Sequence, residues 1–434
     1  MDTPIFDFLK KYSHSDMSRF HMPGHKGKSF LGCESLDITE ISGADSLYEA
    51  DGIINESEHN ASRIFGTGAT FYSAEGSSLS IKAMIYSAMV SSEKKTKKIA
   101  AVRNVHKSFI NACALLDIDI EWIYPSDYST LCNGVVTPDE VEKVLTLNNE
   151  VFALYLTSPN YLGQLTDIEA VAAVCRKHNV PLLVDNAHGA YLKFCNLHPI
   201  DLGADMCCDS AHKTLPVLTG GAYLHISDKK KELYAPLIKN AMSAFGSTSP
   251  SYLIMASLDL CNRYLSERYE TKLNQCINKI RKLKAELPGY FFYNAEPLKL
   301  TLSCDGNLLA KDLRENGIEC EYADSTALVL MITPENTDED FNRLKNALLR
   351  IAPQAPKEPP CIIQGQKVMS VREAFLSQSE TIDVTDAIGR VCASSCISCP
   401  PAVPIAVSGE IITTEIAEIF KFYGKNTVNV IKSQ

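Results

Sequence analysis

At 434 residues, with 45% hydrophobic and 22% charged residues, the chain has ordinary globular composition and length enough for two or three domains. Its 42 Lys and Arg against 52 Asp and Glu leave a net charge of −10, which argues against nucleic acid as the main partner and leaves room for a cationic small molecule. No run approaches the roughly 18 apolar residues of a membrane span, and residues 1–11 lack the basic-then-apolar pattern of a leader, so a cytoplasmic protein is expected.

From residue 71 onward short apolar runs alternate with amphipathic stretches, the rhythm of an α/β domain with a mainly parallel sheet. Strands are predicted at 71–74, 99–103, 121–124, 151–157, 181–185, 205–209 and 222–226, with helices between them. Two helix starts carry capping boxes, Thr137 with Glu140 and Thr166 with Glu169. Beyond Ser249-Pro250 a proline-free helical pattern predicts one long connecting helix to about 287, ended by Pro288-Gly289. Residues 290–352 then read as a small α+β domain: a strand, a helix at 308–316, a strand at 327–332 and a helix at 338–351. The proline-rich stretch 353–361 is a linker, and a module over 362–434 ends in a helical stretch at 414–423. The expected division is therefore an N-terminal segment 1–65, a large domain 66–287, the small domain 288–352, the linker 353–361 and the last module 362–434.

The 15 cysteines, including the adjacent pair Cys207 and Cys208, are scattered through these elements and read as reduced core thiols. Cys392, Cys396 and Cys399 come closest to a metal signature, but zinc would want a fourth ligand and a second spaced pair, so no metal is expected.

Four short motifs follow successive predicted strands. In Asp209-Ser-Ala-His-Lys-Thr214, a lysine just past a buried strand is either a loop-surface residue or an amine whose desolvation favours the neutral, nucleophilic form. Leu182-Leu-Val-Asp-Asn-Ala-His-Gly189 puts Asp185 at a strand's carboxyl end, where open α/β sheets bind ligands. Such an acid either caps a turn or pairs with a cation, and a protonated pyridine nitrogen is one, with Ala187 small enough to let a flat ring lie against the backbone. Ala74-Glu-Gly-Ser-Ser-Leu-Ser80 brings Gly76, Ser77 and Ser78 to a helix start, which is an N-cap or a phosphate cradle. Arg103-Asn-Val-His-Lys-Ser108 places His106 at a strand end, as a structural residue or as a ring stacked on a cofactor.

These motifs, with Phe20-His-Met-Pro-Gly-His-Lys-Gly27, Ser210-Ala-His-Lys-Thr-Leu-Pro216, Ser247-Thr-Ser-Pro-Ser-Tyr252 and Pro400-Pro-Ala-Val-Pro404 with Gly409-Glu410, resemble the ornithine/lysine/arginine decarboxylases. That family is the bacterial branch of fold-type-I pyridoxal-phosphate enzymes, and the similarity spans nearly the whole chain. The resemblance implies an aminotransferase-like large domain and pyridoxal 5'-phosphate as cofactor. Lys213 would form the Schiff base, Asp185 pair with the pyridine nitrogen, and His106 stack over the ring. Ser77, Ser78, Ser210 and His212 would serve the phosphate, and Asn160 or Thr157 the cofactor hydroxyl. It also implies a short form without the N-terminal wing of the large inducible members, assembled as a homodimer, in which the 247–252 segment reaches a neighbour's phosphate. Three positions depart from the family's usual text: Glu75 stands where Asn is usual, Asn186 where Glu is common, and Ala402 replaces a glycine.

The implied reaction is decarboxylation of a basic amino acid, arginine first, then lysine or ornithine, with Lys213 or His188 returning a proton. A cationic substrate side chain would need a distal carboxylate, for which Asp45 and Glu410 are candidates, either of them equally a cap or surface residue. Competing readings are an aminotransferase, lyase or racemase on the same fold, or a non-catalytic relative that binds the cofactor as a regulator. The intact Lys213, Asp185 and His106 speak against the last of these.

Overall fold

The computed structural model describes residues 1–394 and 401–433; Cys396, Cys399 and Pro400 lie outside the described residues. The strands are β1 (Ala69–Ser73), β2 (Lys98–Val102), β3 (Asp119–Ile123), β4 (Val151–Thr157), β5 (Leu182–Asp185), β6 (Met206–Asp209), β7 (Ala222–Ile226), β8 (Lys299–Ser303), β9 (Tyr322–Ala323), β10 (Ala327–Met331), β11 (Ser379–Asp383) and β12 (Thr427–Ile431). The first seven coincide with the predicted strands to within two residues at each end. The chain packs as two compact units, Met1–Glu93 with Pro181–Thr271, and Lys94–Val180 with Lys272–Gln434.

In the first unit the strand order is β1, β7, β6, β5. β5 and β6 are parallel, with Asp185 opposite Cys208. β7 runs antiparallel to both β6 and β1, so it is the one reversed strand of the four. β5, β6 and β7 are buried along their whole length, which is why they read as unbroken apolar runs rather than alternating ones. Helix Gly76–Val90 leaves the end of β1 and packs on β5, β6 and β7, burying Leu79, Ile81, Met84 and Ile85. Helices Pro4–Ser13, Ile53–Phe65 and Tyr252–Glu267 pack against one another. There the buried Asp259 accepts hydrogen bonds from Ser57 Oγ at 2.5 Å and the Phe6 amide at 3.0 Å.

In the second unit β3, β2 and β4 are parallel, with β2 between its neighbours. β8, β10 and β9 form an antiparallel sheet packed with helix Gly306–Glu315. The last module pairs β11 with β12 antiparallel, and its helix Thr414–Phe422 buries Ile416, Ile419 and Phe420 in a core shared with Leu131, Leu162 and Val329. Residues 352–366 carry no helix or strand, as the prolines require.

Two local expectations are corrected. The long helix after Pro250 is two helices, Tyr252–Glu267 and Tyr269–Ala285, because Arg268 leaves helical geometry (φ −140°) and turns Tyr269 into a buried aromatic contact with Phe194 and Tyr264. The Thr137–Glu140 capping box forms as expected, but the second helix starts one residue later, capped by Asp167 on the amide of Ala170. Thr166 is instead buried, its amide donating to Ser158 Oγ at 3.1 Å.

Candidate active site

The first unit gathers three of the four motifs. Gly76 opens its helix at φ +69°, and its amide donates to the Gly220 carbonyl at 2.7 Å; a side chain at Gly220 would press on the Ala74 carbonyl at 3.0 Å. Both turns therefore need glycine. Among the described residues no side chain caps the helix that Gly76 begins. Ser210 Oγ donates to Ser77 Oγ at 2.8 Å, which joins the turn after β6 to this helix start. Glu75 points away to the segment 246–249, where its carboxylate accepts the Ser247 amide at 2.5 Å.

Asp185, at the end of β5, is 2% exposed and accepts the Ala187 amide at 3.1 Å. The Cys208 thiol lies 3.7 Å from the same oxygen; burial, and then the Asp185 charge, push that thiol up, so it stays protonated and donates. Lys213 sits in the one-turn helix Ala211–Thr214, half-buried, with Nζ 2.9 Å from His188 Nε2. His212 donates through Nδ1 (3.0 Å) and through its amide (3.2 Å) to the Gly221 carbonyl, which fixes the backbone just before Lys213. A lysine amine, an imidazole within hydrogen-bonding distance of it and a buried carboxylate are thus carried by two adjacent strand ends.

Asp45, named for a substrate cation, instead organises the start of helix Ile53–Phe65. Its carboxylate accepts the amides of Ser46 (2.8 Å), Asp51 (3.2 Å), Gly52 (2.9 Å) and Ile54 (2.9 Å). Burial alone would raise this carboxyl, but the amides outweigh it and hold it below the ordinary range.

In the second unit His106 caps helix Lys107–Leu116, its Nδ1 accepting the Ser108 amide at 3.1 Å and lying 2.9 Å from Ser108 Oγ. That bond fixes the ring plane and leaves Nε2 as the N–H of the neutral imidazole. Thr157 ends β4 with its hydroxyl buried and without a partner among the described residues, and Asn160 is buried and paired through both amide atoms with Gln164. Glu410 is 4% exposed, accepts the Val407 amide at 2.7 Å and lies 3.9 Å from the Arg103 guanidinium. Arg103, itself 3% exposed, donates to the carbonyls of Pro404 (2.8 Å) and Ile405 (3.1 Å) and lies over the Trp122 ring. Both carboxylates named for the substrate thus have partners within the chain. Ala402 is buried at φ +56°, the left-handed backbone that a glycine adopts freely, and its carbonyl accepts the Lys107 amide.

One cluster was not foreseen. Asp209, immediately before the lysine motif, is fully buried with His198 and His225, its Oδ2 lying 3.1 Å and 3.3 Å from their Nε2 atoms. Burial alone would raise the Asp209 carboxyl; the two imidazoles outweigh it and hold it well below the usual carboxylate range. A histidine inside the otherwise apolar strand Ala-Tyr-Leu-His-Ile was the available signal, since a buried imidazole demands a partner.

A mainly parallel α/β domain with one reversed strand, chemistry at strand ends and a small α+β companion define the fold-type-I class. The chain belongs to the Orn/Lys/Arg decarboxylase family, whose major-domain profile matches residues 3–304, and it is accordingly an enzyme of the decarboxylase type. It is 29% identical to the arginine decarboxylase of Bacillus subtilis (strain 168), over 97% of this chain and 93% of that one. With the arginine decarboxylase of Halalkalibacterium halodurans it shares 30% identity over 95% and 91% of the two chains. Among solved structures, lysine decarboxylase A from Pseudomonas aeruginosa superposes with a TM-score of 0.83 at 17% identity, covering 99% of this chain and 80% of that one.

Proposed function

We propose that the protein is a pyridoxal 5'-phosphate-dependent decarboxylase of a basic amino acid, acting on arginine in preference to lysine or ornithine. The observation that carries this reading is the Lys213 amine, 2.9 Å from His188 Nε2, on strand-end turns that also hold Asp185 and an uncapped helix start.

The donor set suits the cofactor. Ser77, Ser78, Ser210, His212 and the helix start at Gly76 would hold its phosphate. Asp185, buried and backed by Ala187, would keep a proton on its ring nitrogen; the roles of His106 at the ring face and of Thr157 or Asn160 at the hydroxyl rest on the family resemblance alone. Bound there, pyridoxal phosphate would supply an electron-poor ring able to take up the electrons of the bond to a departing carboxylate. Lys213 is the amine that would hold the cofactor aldehyde and yield it to the substrate amine. His188 Nε2 is placed to exchange a proton with Lys213 Nζ, so either can return one to the substrate's α-carbon after carbon dioxide leaves.

Arginine is favoured by the two relatives named arginine decarboxylase, each matched over more than nine-tenths of its length. A homodimer is supported by the exposed apolar side chains of Phe20, Phe30 and Leu31, which are 95%, 80% and 91% accessible. Among the described residues no helix is long and apolar enough to cross a membrane.

The test is an amino-acid panel with cofactor-loaded protein, scoring amine and carbon dioxide. Agmatine from arginine, lost in Lys213→Ala, is the expected result. Keto-acid formation without carbon dioxide, or full activity in Lys213→Ala, refutes the reading.

A further inference from the structure

The turn from Asp185 to Gly189 carries two groups assigned above, Asp185 and His188, and its second residue is tied to β6 by a side chain. Asn186 Nδ2 donates to Asp209 Oδ1 at 2.7 Å, and the Asn186 amide donates to the Cys208 carbonyl at 3.0 Å. On its other side Asn186 Oδ1 is buried against Gly189, with no hydrogen-bond partner among the described residues. A Cβ at Gly189 would fall 2.0 Å from Asn186 Oδ1, so the amide fills the space a side chain at 189 would take.

Asp209 is equally constrained. Its Oδ2 faces His198 and His225, His225 Nδ1 is hydrogen-bonded to Thr70 Oγ1 at 2.8 Å, and the Phe65 ring lies 4.5 Å from the His225 ring and 5.7 Å from that of His198. A fully buried carboxylate with both oxygens committed, bridging β5, β7 and through them β1, has a fixed position. It is also the residue before Ser210, which bonds Ser77, and four before Lys213.

We propose that Asp209 is a positioning residue: locked by His198 and His225, it sets through Asn186 the turn carrying Asp185 and His188 against the turn carrying Lys213. The proposal rests on the function assigned above. Neither Asp209 nor Asn186 is assigned a contact with cofactor or substrate; both act through the turn.

The experiment compares Asn186→Ala, Asp209→Ala and the double variant with the wild-type protein. Asn186→Ala cuts the link while leaving Asp209 to its histidines, so it keeps the fold even if Asp209→Ala does not. For Asn186→Ala the expected result is a cofactor-free protein that still unfolds cooperatively, melting only a few degrees below wild type because one charged hydrogen bond is lost from a large folded unit. Its kcat falls roughly 10- to 100-fold from misplacement of the reacting groups, with KM for the amino acid changed less than about threefold. Pyridoxal phosphate binds less tightly by equilibrium dialysis, and the pH at which its visible absorbance on the protein changes moves by about one unit, the signature of an altered charge environment. If Asp209→Ala folds, the double variant is no worse than the poorer single one, because the two act in series.

Wild-type dissociation constant, absorbance transition and kcat in Asn186→Ala would overturn the proposal while the proposed function stood. Failure of borohydride to tag Lys213 in the wild-type protein with added cofactor would instead remove the functional reading, and the positioning role with it. His198, Cys207 and Asp209 also offer ligand atoms within 4.8 Å of one another, so elemental analysis of the purified protein belongs in the same experiment. Stoichiometric zinc lost on Asp209→Ala would make Asp209 a ligand and overturn its role as a hydrogen-bonding anchor.

Discussion

Arg103 and Glu410 are both buried and 3.9 Å apart, yet their replacement should have unequal effects. Arg103→Met removes charged hydrogen bonds to the Pro404 and Ile405 carbonyls, each worth about 1.5–3 kcal/mol. It also leaves Glu410 buried without its cation; breaking a buried pair in this way costs roughly 3–5 kcal/mol in all, a figure that already includes the overlapping hydrogen-bond losses. With an unfolding entropy of about 2.1 cal/mol/K per residue, 4 kcal/mol lowers the melting temperature by roughly 4 °C if the whole chain unfolds together, and by about twice that if only the unit holding the pair does. Glu410→Gln should be mild. Burial raises the Glu410 carboxyl in spite of Arg103, so its ionised form is already disfavoured, and glutamine keeps an oxygen for the Val407 amide. The pH dependence has a definite sign. A carboxyl whose folded pKa is raised contributes stability that is complete below its unfolded pKa near 4 and disappears as pH rises through the folded value. Glutamine does not titrate, so Glu410→Gln gains on wild type between pH 5 and pH 8, whereas Arg103→Met falls further behind. Differential scanning calorimetry of the three proteins at both pH values decides the matter. Equal losses at pH 8 would refute the asymmetry, and an unchanged melting temperature in Glu410→Gln with a tenfold rise in KM for a cationic substrate would return Glu410 to the substrate.

Asp259, pushed up to about 6 by burial despite its bonds to Ser57 and Phe6, follows the same rule. Its stabilisation is present below about pH 4 and lost through pH 6, at most roughly 3 kcal/mol for a shift of this size; Asp259→Asn should abolish that step in a plot of melting temperature against pH, and its persistence would count against the assignment. Ala402→Gly removes a left-handed alanine costing about 1–2 kcal/mol, partly offset by the greater freedom of glycine in the unfolded chain. A rise in denaturation midpoint equivalent to about 0.5–1 kcal/mol is expected, and a fall would show that the alanine methyl packs too well to give up.

The strand ends carrying the site were legible because β5, β6 and β7 are buried throughout, so apolar runs ending in Asp185 or Asp209 marked both the strand and the point where polar chemistry begins. Partners across the fold were not legible, because they depend on which buried faces meet rather than on local period. Asp45 and Glu410 could be named only as unpaired acids; the backbone amides that engage Asp45 and the guanidinium beside Glu410 appear once the loops are folded. Arg268 shows the same limit, since only the tertiary pocket for Tyr269 breaks a helix that propensity would continue. Asp209 is the more instructive case. Asp209 entered only as the first residue of the lysine motif, and His198 and His225 carried no assigned role, because a carboxylate held ionised at complete burial requires all of its neighbours at once. The sequence therefore announces where chemistry is attached to the sheet, while the groups that hold it rigid become visible only when every buried donor and acceptor has to be matched.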